Sequence, residues 1–146
     1  LDALRNKPLA VEILGRSEHL GLPHDLIDPA LTGQIVPEPG APPVAVESFV
    51  RFHKNAASFP WRSQSAWIAH QLGADAAGIE KAKACFRSDL YRQNLAGIGA
   101  DMPGASEKQE GSLRFDTAVA SSRGHMILAP DAFFDGRSFD FSENPR

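Results

Sequence analysis

Apolar residues at roughly helical spacing open the chain. Between Asp2 and Arg16 they recur among charged residues, as in a helix with one buried face. Proline suits a first helical turn and glycine suits a helix end, so the pattern predicts a helix from about Pro8 to Gly15. The apolar residues concerned are Leu4, Leu9, Val11, Ile13 and Leu14.

A second short helix is predicted directly after the first. Pro23 is suited to its first turn, and its apolar positions continue to Leu31 before Gly33 closes it. Pro29 is the residue expected to break this helix, because proline lacks the backbone N–H that a helix interior needs. Residues 1–33 are therefore predicted to form a helical hairpin.

The next segment is rich in proline. Residues 34–46, with the sequence QIVPEPGAPPVAV, contain four prolines and one glycine and carry little charge. A central strand or a helix interior cannot accommodate so many residues without an N–H, so the composition predicts an extended surface connection. We assign residues 34–48 to this connection.

Residues 49–96 are predicted to be a central helical segment built around the sequence FPWRS. Pro60 fixes its own φ and favours extended geometry at Phe59, which gives the chain a rigid entry into a helix. Ser63 is the expected N-cap of that helix.

Two more helices are expected in the same segment. The first runs from Asp75 to Phe86, with Lys83 on its water-facing side. The second extends to Leu95, and Ser88 is its expected cap. The apolar stripe of the first of these helices consists of Ile79, Ala82 and Phe86.

Residues 97–146 are predicted to be a coil-rich C-terminal segment that returns to the rest of the fold. The sequence SSRG is typical of a turn, and Asp135-Gly136 is a tight-turn signature that would suit a small hairpin. Aromatic side chains in this segment require something to pack against. They are Phe133, Phe134, Phe139 and Phe141.

Composition narrows the function classes. An apolar content of 42% with 23% charged residues is typical of a soluble globular protein. The net charge of −3 provides no basic field, which argues against nucleic acid as a partner. Cys85 is the only cysteine, so it cannot form an intrachain disulfide, and we expect it to be a small buried thiol.

The chain contains neither an apolar run long enough for a membrane span nor a visible leader. It starts at Leu1 without a methionine, and apolar residues at helical spacing begin close to that start, so we expect it to be a fragment of a longer protein.

The candidate binding residues lie in the FPWRS turn. A helix that begins near Ser63 presents unpaired N–H groups, and Arg62 adds a planar fork of donors suited to flat oxyanions. Contact with an anion and a structural ion pair are both open for Arg62, and the structural role is favoured because most arginines near helix ends serve it. Trp61 completes the candidate ligand-binding set.

No catalytic residue, metal ligand or cofactor is predicted. The five histidines lack metal-ligand spacing, and no GxSxG turn or glycine-rich phosphate loop is present. Asp131, Asp135 and Asp140 lack the regular spacing of a calcium loop and are interpreted as turn-forming residues.

Four stretches of the chain resemble one family. FVRFHKNAASFPWRSQSAW looks like the signature of the nitrate/bicarbonate-binding proteins of ABC importers, and PDAFFDGRSFDFSENP resembles the closing segment of that family. AVEILGRSEHLGLPHDLIDPALTG is similar to its helical hairpin, and MPGASEKQEGSL is similar to its MPG-type loop. The similarity thus covers nearly the whole chain in order.

The resemblance implies a parent with the α/β periplasmic-binding-protein type II fold, whose two lobes close on nitrate, nitrite or bicarbonate. This chain would be a partial, mainly helical C-terminal portion with long ordered coil, and residues 1–33 would be the hairpin of one lobe. Its function would be non-catalytic ligand capture for an ABC permease, in the periplasm or at the membrane. The resemblance places most of the ligand pocket in earlier sequence that is absent here.

Two alternatives remain. A cytoplasmic nitrate sensor of the same fold would hold a regulatory protein instead of docking on a permease. A metal-dependent or hydrolytic enzyme is disfavoured, because the sequence offers no converging set of titratable groups. Since phenylalanines that would pack on an absent lobe leave apolar surface uncovered, the fragment is expected to self-associate.

Overall fold

The computed structural model describes residues 6–47, 49–51 and 54–142. The chain divides into two compact units, residues 1–52 and residues 53–146. Helices and two small two-stranded sheets make up the regular structure of the described residues. None of the described helices is long and apolar enough to cross a lipid bilayer. The type II parent fold stays a prediction.

The first unit contains the predicted helical hairpin. Helix α1 spans Lys7–Gly15, and the Asn6 side chain caps it by accepting a hydrogen bond from the Leu9 N–H at 3.2 Å. Helix α2 spans His24–Thr32 and packs against α1. Both predicted helices are confirmed. Their buried apolar residues are Ala10, Val11 and Ile27.

Pro29 does not break α2, so this expectation is wrong. The helix begins at His24, and Pro29 removes one hydrogen bond of its second turn without ending it. Gly33 terminates the helix in the left-handed conformation, with φ of 76°, and donates to the Pro29 carbonyl at 2.8 Å. A side chain at Gly33 would also collide with the Val46 carbonyl, since a Cβ atom would lie 2.5 Å from its oxygen.

The proline-rich connection is extended, as predicted. Strands β1 (Gln34–Ile35) and β2 (Val44–Ala45) pair in antiparallel register, with Gln34 opposite Ala45. The Val46 N–H donates to the Gly33 carbonyl at 2.7 Å, which ties the end of the connection to the end of α2.

Three helices form the front half of the second unit. A 3₁₀ turn at Lys54–Ala56 precedes α3 (Arg62–Gln71), which pairs closely with α4 (Ala76–Cys85). Helix α5 (Ser88–Leu95) follows and runs into a 3₁₀ turn at Ala96–Ile98. The predicted helix from Asp75 is confirmed, and the Asp75 carboxylate caps it by accepting from the Gly78 N–H at 2.8 Å.

A β-hairpin forms the back half of the second unit. Strands β3 (Thr117–Ser121) and β4 (Gly124–Leu128) pair in antiparallel register around the predicted SSRG turn. Val119 lies opposite Met126, and these residues face the core together with Leu128. The buried residues of this core are Ala56, Phe59, Trp61, Met126 and Leu128.

The hairpin considered at Asp135-Gly136 does not form. The Gly136 N–H donates to the Phe133 carbonyl and closes a turn, but no strands flank it. The segment before this turn is already engaged elsewhere, because the Asp131 and Ala132 N–H groups both donate to the Leu113 carbonyl. These two N–H groups are therefore not available to pair with the segment that follows.

The C-terminal phenylalanines find different surroundings. Phe133 stacks on Trp67 with ring centroids 5.0 Å apart, and Phe139 packs beside the buried cluster of α3 and α4. Phe141 lies near the Lys83 ammonium, whereas Phe134 is fully exposed. Three of the four thus pack on the second unit itself, as the sequence required.

Candidate functional site

Helix α3 begins two residues earlier than predicted. Trp61 occupies the N-cap position with extended backbone, and no side chain caps the helix. The expected N-cap, Ser63, is the second residue of the helix, so that expectation is wrong. A loop takes over the capping role, because the Arg62 N–H donates to the Ser106 carbonyl at 2.9 Å.

Ser63 instead belongs to a buried polar cluster. It is fully buried, its Oγ donates to Glu110 Oε1 at 2.6 Å, and it accepts from the Lys108 N–H at 3.0 Å. The Lys108 ammonium donates to both the Glu110 and Asp131 carboxylates. Asp131 also accepts from the Leu113 N–H at 2.8 Å. We call this set, Ser63, Lys108, Glu110 and Asp131, the Lys108 network.

The carboxylates of the Lys108 network are satisfied in hydrogen bonding, and the network keeps one net negative charge. Two carboxylates share one ammonium, and the side chain of Glu110 is only 6% exposed. A charge buried to this degree is tolerable only with partners, and here each carboxylate has two. The network joins α3 to the loop at 108–113 and to the C-terminal segment at Asp131. Asp131 is thus more than the turn-forming residue expected.

Trp61 packs between the aromatic core and the same lysine. It is 4% exposed, and its ring meets Phe59 edge-on with centroids 4.9 Å apart. The Lys108 ammonium lies 5.6 Å from the Trp61 ring centroid, within cation–π range. Trp61 and Ser63 therefore both face Lys108 from inside the unit.

Arg62 points elsewhere, towards Glu107. Its side chain is 41% exposed, and its Nε lies 3.9 Å from Glu107 Oε1. That Nε is buried and has no hydrogen-bond partner among the described residues. Of the three candidate residues, only Arg62 presents a substantial part of its side chain to solvent, so only Arg62 is placed to meet a ligand from outside.

Lys83 is buried against Glu107, contrary to its expected water-facing position. Its side chain is 11% exposed, and its ammonium lies 3.1 Å from both Glu107 and Glu80. Burial lowers the pKa of Lys83, but hydrogen bonds to Glu107 and Glu80 outweigh burial and raise the pKa above the ordinary 10.5. The stability that Lys83 contributes through Glu107 and Glu80 is therefore fully present at neutral pH. It is lost only as the pH rises through the pKa of Lys83 in the folded state.

Arg92 holds the loop that caps α3. Its guanidinium donates to the Pro103 carbonyl at 2.9 Å, the Ala105 carbonyl at 2.8 Å and Ser106 Oγ at 2.8 Å. Its other contact is the Phe59 ring, 4.8 Å from the guanidinium carbon. These three acceptors lie in different directions from Arg92, and the planar guanidinium can donate to all of them at once because it carries several N–H groups.

Ser88 contributes to the same loop. It was expected to cap α5, but it is the first residue of that helix, and its Oγ donates to Ser106 Oγ at 3.0 Å. The hydroxyl is therefore used for a contact between segments. Arg87 occupies the N-cap position, and its guanidinium holds the pKa of the Asp89 carboxyl well below its usual range.

Arg92→Lys is expected to lower the free energy of unfolding of the second unit by about 2 kcal/mol, because an ammonium cannot bond all three acceptors. Urea unfolding followed by tryptophan fluorescence measures this, since both tryptophans lie in that unit. Arg114→Lys, at an exposed position, is the matched control. Equal midpoints for the two variants would show that the loop does not depend on Arg92.

Cys85 and the acidic residues add no further site. Cys85 was expected to be buried, but it is exposed at the last position of α4, and its Sγ donates to the Lys81 carbonyl at 3.4 Å. Within residues 6–47, 49–51 and 54–142, no three His, Cys, Asp or Glu side chains are grouped so that they could hold a metal ion.

The candidate residues from the sequence are thus placed in two environments. Trp61 and Ser63 lie in the interior around Lys108, and Arg62 lies beside Glu107 at the edge. Lys108, Glu110 and Arg92 were not identified from the sequence, because their partners are distant along the chain. Comparison of the chain with protein-family models, with curated proteins and with solved structures found no match.

Proposed function

We propose that this chain is the C-terminal part of a substrate-binding protein that captures nitrate, nitrite or bicarbonate for uptake by an ABC transporter, without catalysis. One observation carries the proposal. Three of the four stretches that resemble the family are separated in sequence but meet in the Lys108 network. They contribute Ser63 from the FPWRS stretch, Lys108 and Glu110 from the MPG-type loop, and Asp131 from the closing segment.

A second contact joins the same three stretches. Trp67 of the first stretch stacks on Phe133 of the closing segment. Gly111 of the MPG-type loop lies directly against that ring, because a Cβ at Gly111 would be 2.5 Å from it. Motifs that pack together in this way act as one structural block, as expected when a family retains them as a set.

Within this proposal the three candidate residues have different roles. Trp61 and Ser63 are buried and fix the start of α3 to the Lys108 network. The Arg62 side chain is 41% exposed, so its guanidinium can take an oxyanion or a carboxylate of another part of the receptor. The permease or regulatory partner stays a prediction of the resemblance.

Isothermal titration of the complete gene product with sodium nitrate, nitrite and bicarbonate tests the proposal. Heat of binding is expected with at least one of these anions and none with sodium chloride, because recognition of a planar oxyanion uses directional donors that chloride does not match. Absence of heat with all three oxyanions would refute the proposed function.

An Arg62→Gln variant tests the local role of the arginine in the same titration. A lower affinity with unchanged unfolding places Arg62 at the ligand, whereas lower stability alone identifies a structural ion pair with Glu107. Arg87→Gln is the matched control, because Arg87 also lies at the start of a helix and pairs with a nearby carboxylate. The control is expected to leave affinity unchanged.

A further inference from the structure

Two phenylalanines on neighbouring loops of the second unit are left uncovered. Phe134 has a relative exposure of 105% and Phe115 of 78%. Their loops are joined, because the Asp131 and Ala132 N–H groups donate to the Leu113 carbonyl at 3.0 and 3.1 Å. Exposed aromatic area of this kind is costly in water and marks interaction surfaces.

The turn that carries Phe134 is fixed by contacts on both sides, so the exposure of Phe134 is a property of the folded structure. The residue before it, Phe133, is stacked on Trp67 and fills the space above Gly111. The Gly136 N–H closes the turn on the Phe133 carbonyl at 3.0 Å. Phe134 therefore stands on a turn whose two sides are both fixed.

Charged residues of both signs adjoin Phe115 and Phe134 in sequence, and Arg114 reaches the turn after Phe134, because a Cβ at Gly136 would lie 3.9 Å from Arg114 Nη2. Arg114 and Asp116 flank Phe115, and Asp135 and Arg137 follow Phe134, which gives two positive and two negative groups. Asp135 and Arg137 are 3.8 Å apart in an exposed pair. Neither Arg114 nor Asp116 forms an ion pair with any described residue. We call these six residues the Phe115–Phe134 patch.

We propose that the Phe115–Phe134 patch binds the same patch of a second copy of this chain, so that two copies associate about a two-fold axis. A two-fold interface must be self-complementary, and a patch with equal numbers of both signs meets that condition. Arg114 then faces Asp116 of the other copy, and the reverse pair forms across the axis. A strongly charged partner would instead meet two groups of its own sign.

The size of the patch sets the strength of this association. Four phenylalanine rings bury several hundred Å² in total, which is below the area of a standard stable interface. Arginine and phenylalanine are nevertheless residue types enriched at interfaces. A weak dimer follows, with a dissociation constant on the order of 0.1 mM. This inference is independent of anion binding.

Sedimentation velocity over a concentration series tests the dimer. The weight-average sedimentation coefficient of the wild-type chain is expected to rise towards the dimer value between about 10 μM and about 0.5 mM. Phe134→Ser and Phe115→Ser are expected to weaken association at least tenfold. Leu72→Ser, at an apolar position that is 82% exposed at the C-cap of α3, is the matched control and is expected to behave as wild type.

A charge-reversal pair tests the two-fold arrangement. Arg114→Asp alone and Asp116→Arg alone each place like charges opposite one another, so each variant is expected to remain monomeric. An equimolar mixture restores opposite charges at both contacts and is expected to associate as wild type does. A monomeric wild-type chain at about 0.5 mM overturns the proposal and leaves the patch to a different protein. A mixture that stays monomeric also overturns it.

Discussion

Lys108→Met is expected to lower the free energy of unfolding of the second unit by about 3–5 kcal/mol, because it leaves a buried carboxylate without its cation. Methionine keeps most of the side-chain volume, so the loss reports the charge, including its cation–π contact with Trp61, and not a cavity. Glu110 would be the residue most affected, since its side chain is 6% exposed. Urea unfolding followed by tryptophan fluorescence gives the free energy.

Lys81→Met is the matched control for this prediction. Lys81 lies exposed on α4, so the same chemical change there is expected to alter stability by no more than about 0.5 kcal/mol. If Lys108→Met and Lys81→Met shift the midpoint equally, the Lys108 network does not hold the two carboxylates, and the account given for Ser63 fails with it.

Neutralising all three charged residues of the Lys108 network distinguishes the cost of buried charge from the contribution of the hydrogen bonds. A triple variant, Lys108→Met with Glu110→Gln and Asp131→Asn, removes the stranded charges together. Buried ion pairs that are replaced as a set commonly cost little, so the triple variant is expected to be more stable than Lys108→Met alone. A triple variant that is less stable would indicate that the hydrogen bonds, and not charge burial, dominate.

The elements that could be predicted from the sequence are those specified by near neighbours. Pro23 and Gly33 define the limits of α2 because proline suits a helix start and glycine adopts the left-handed conformation at its end. Asp75 caps α4 through a residue three positions later. The SSRG turn is found for the same reason, since its geometry depends on four adjacent residues.

The errors at Ser63 and Ser88 share one cause. Serine before or at a helix start is a good cap in isolation, but each hydroxyl is claimed by a residue far along the chain. Ser63 bonds Glu110 and Lys108, and Ser88 bonds Ser106. The residues next to each serine include none of these partners. The neighbouring sequence therefore gives no sign that a long-range hydrogen bond competes with capping.

The burial of Lys83 was missed for a related reason. Lys83 was expected on the water-facing side of α4, yet Glu107 from a distant loop brings the opposite charge that makes burial acceptable.

The β3–β4 hairpin did leave a local signal, because Val119 precedes the turn and Met126 and Leu128 alternate after it. The signal was weak because the strands also contain alanine and serine.

Phe59→Ala is the second change expected to have a large effect, with a loss of about 3–5 kcal/mol in the free energy of unfolding of the second unit. Phe59 is 2% exposed, and the rings of Trp61 and Tyr91 meet it edge-on at 4.9 and 5.2 Å. Its removal would leave a cavity and would also deprive the Arg92 guanidinium of the ring beneath it. The same urea experiment measures the loss.

Phe115→Ala and Phe59→Leu are the controls for this prediction. Phe115 is 78% exposed, so its truncation should have almost no effect on unfolding. Phe59→Leu keeps most of the volume and is expected to cost less than about 1.5 kcal/mol. A loss at Phe59→Ala no larger than that at Phe115→Ala would contradict the placement of Phe59 at the centre of this core.

The two predictions are linked through Trp61, which lies between Phe59 and Lys108. Residues that share a contact rarely act independently, so Phe59→Leu combined with Lys108→Met is expected to deviate from additivity by at least about 0.5 kcal/mol. Phe59→Leu combined with Lys81→Met should be additive, because Lys81 lies exposed on α4. Additivity in both pairs would show that Phe59 and Lys108 are not coupled energetically through Trp61.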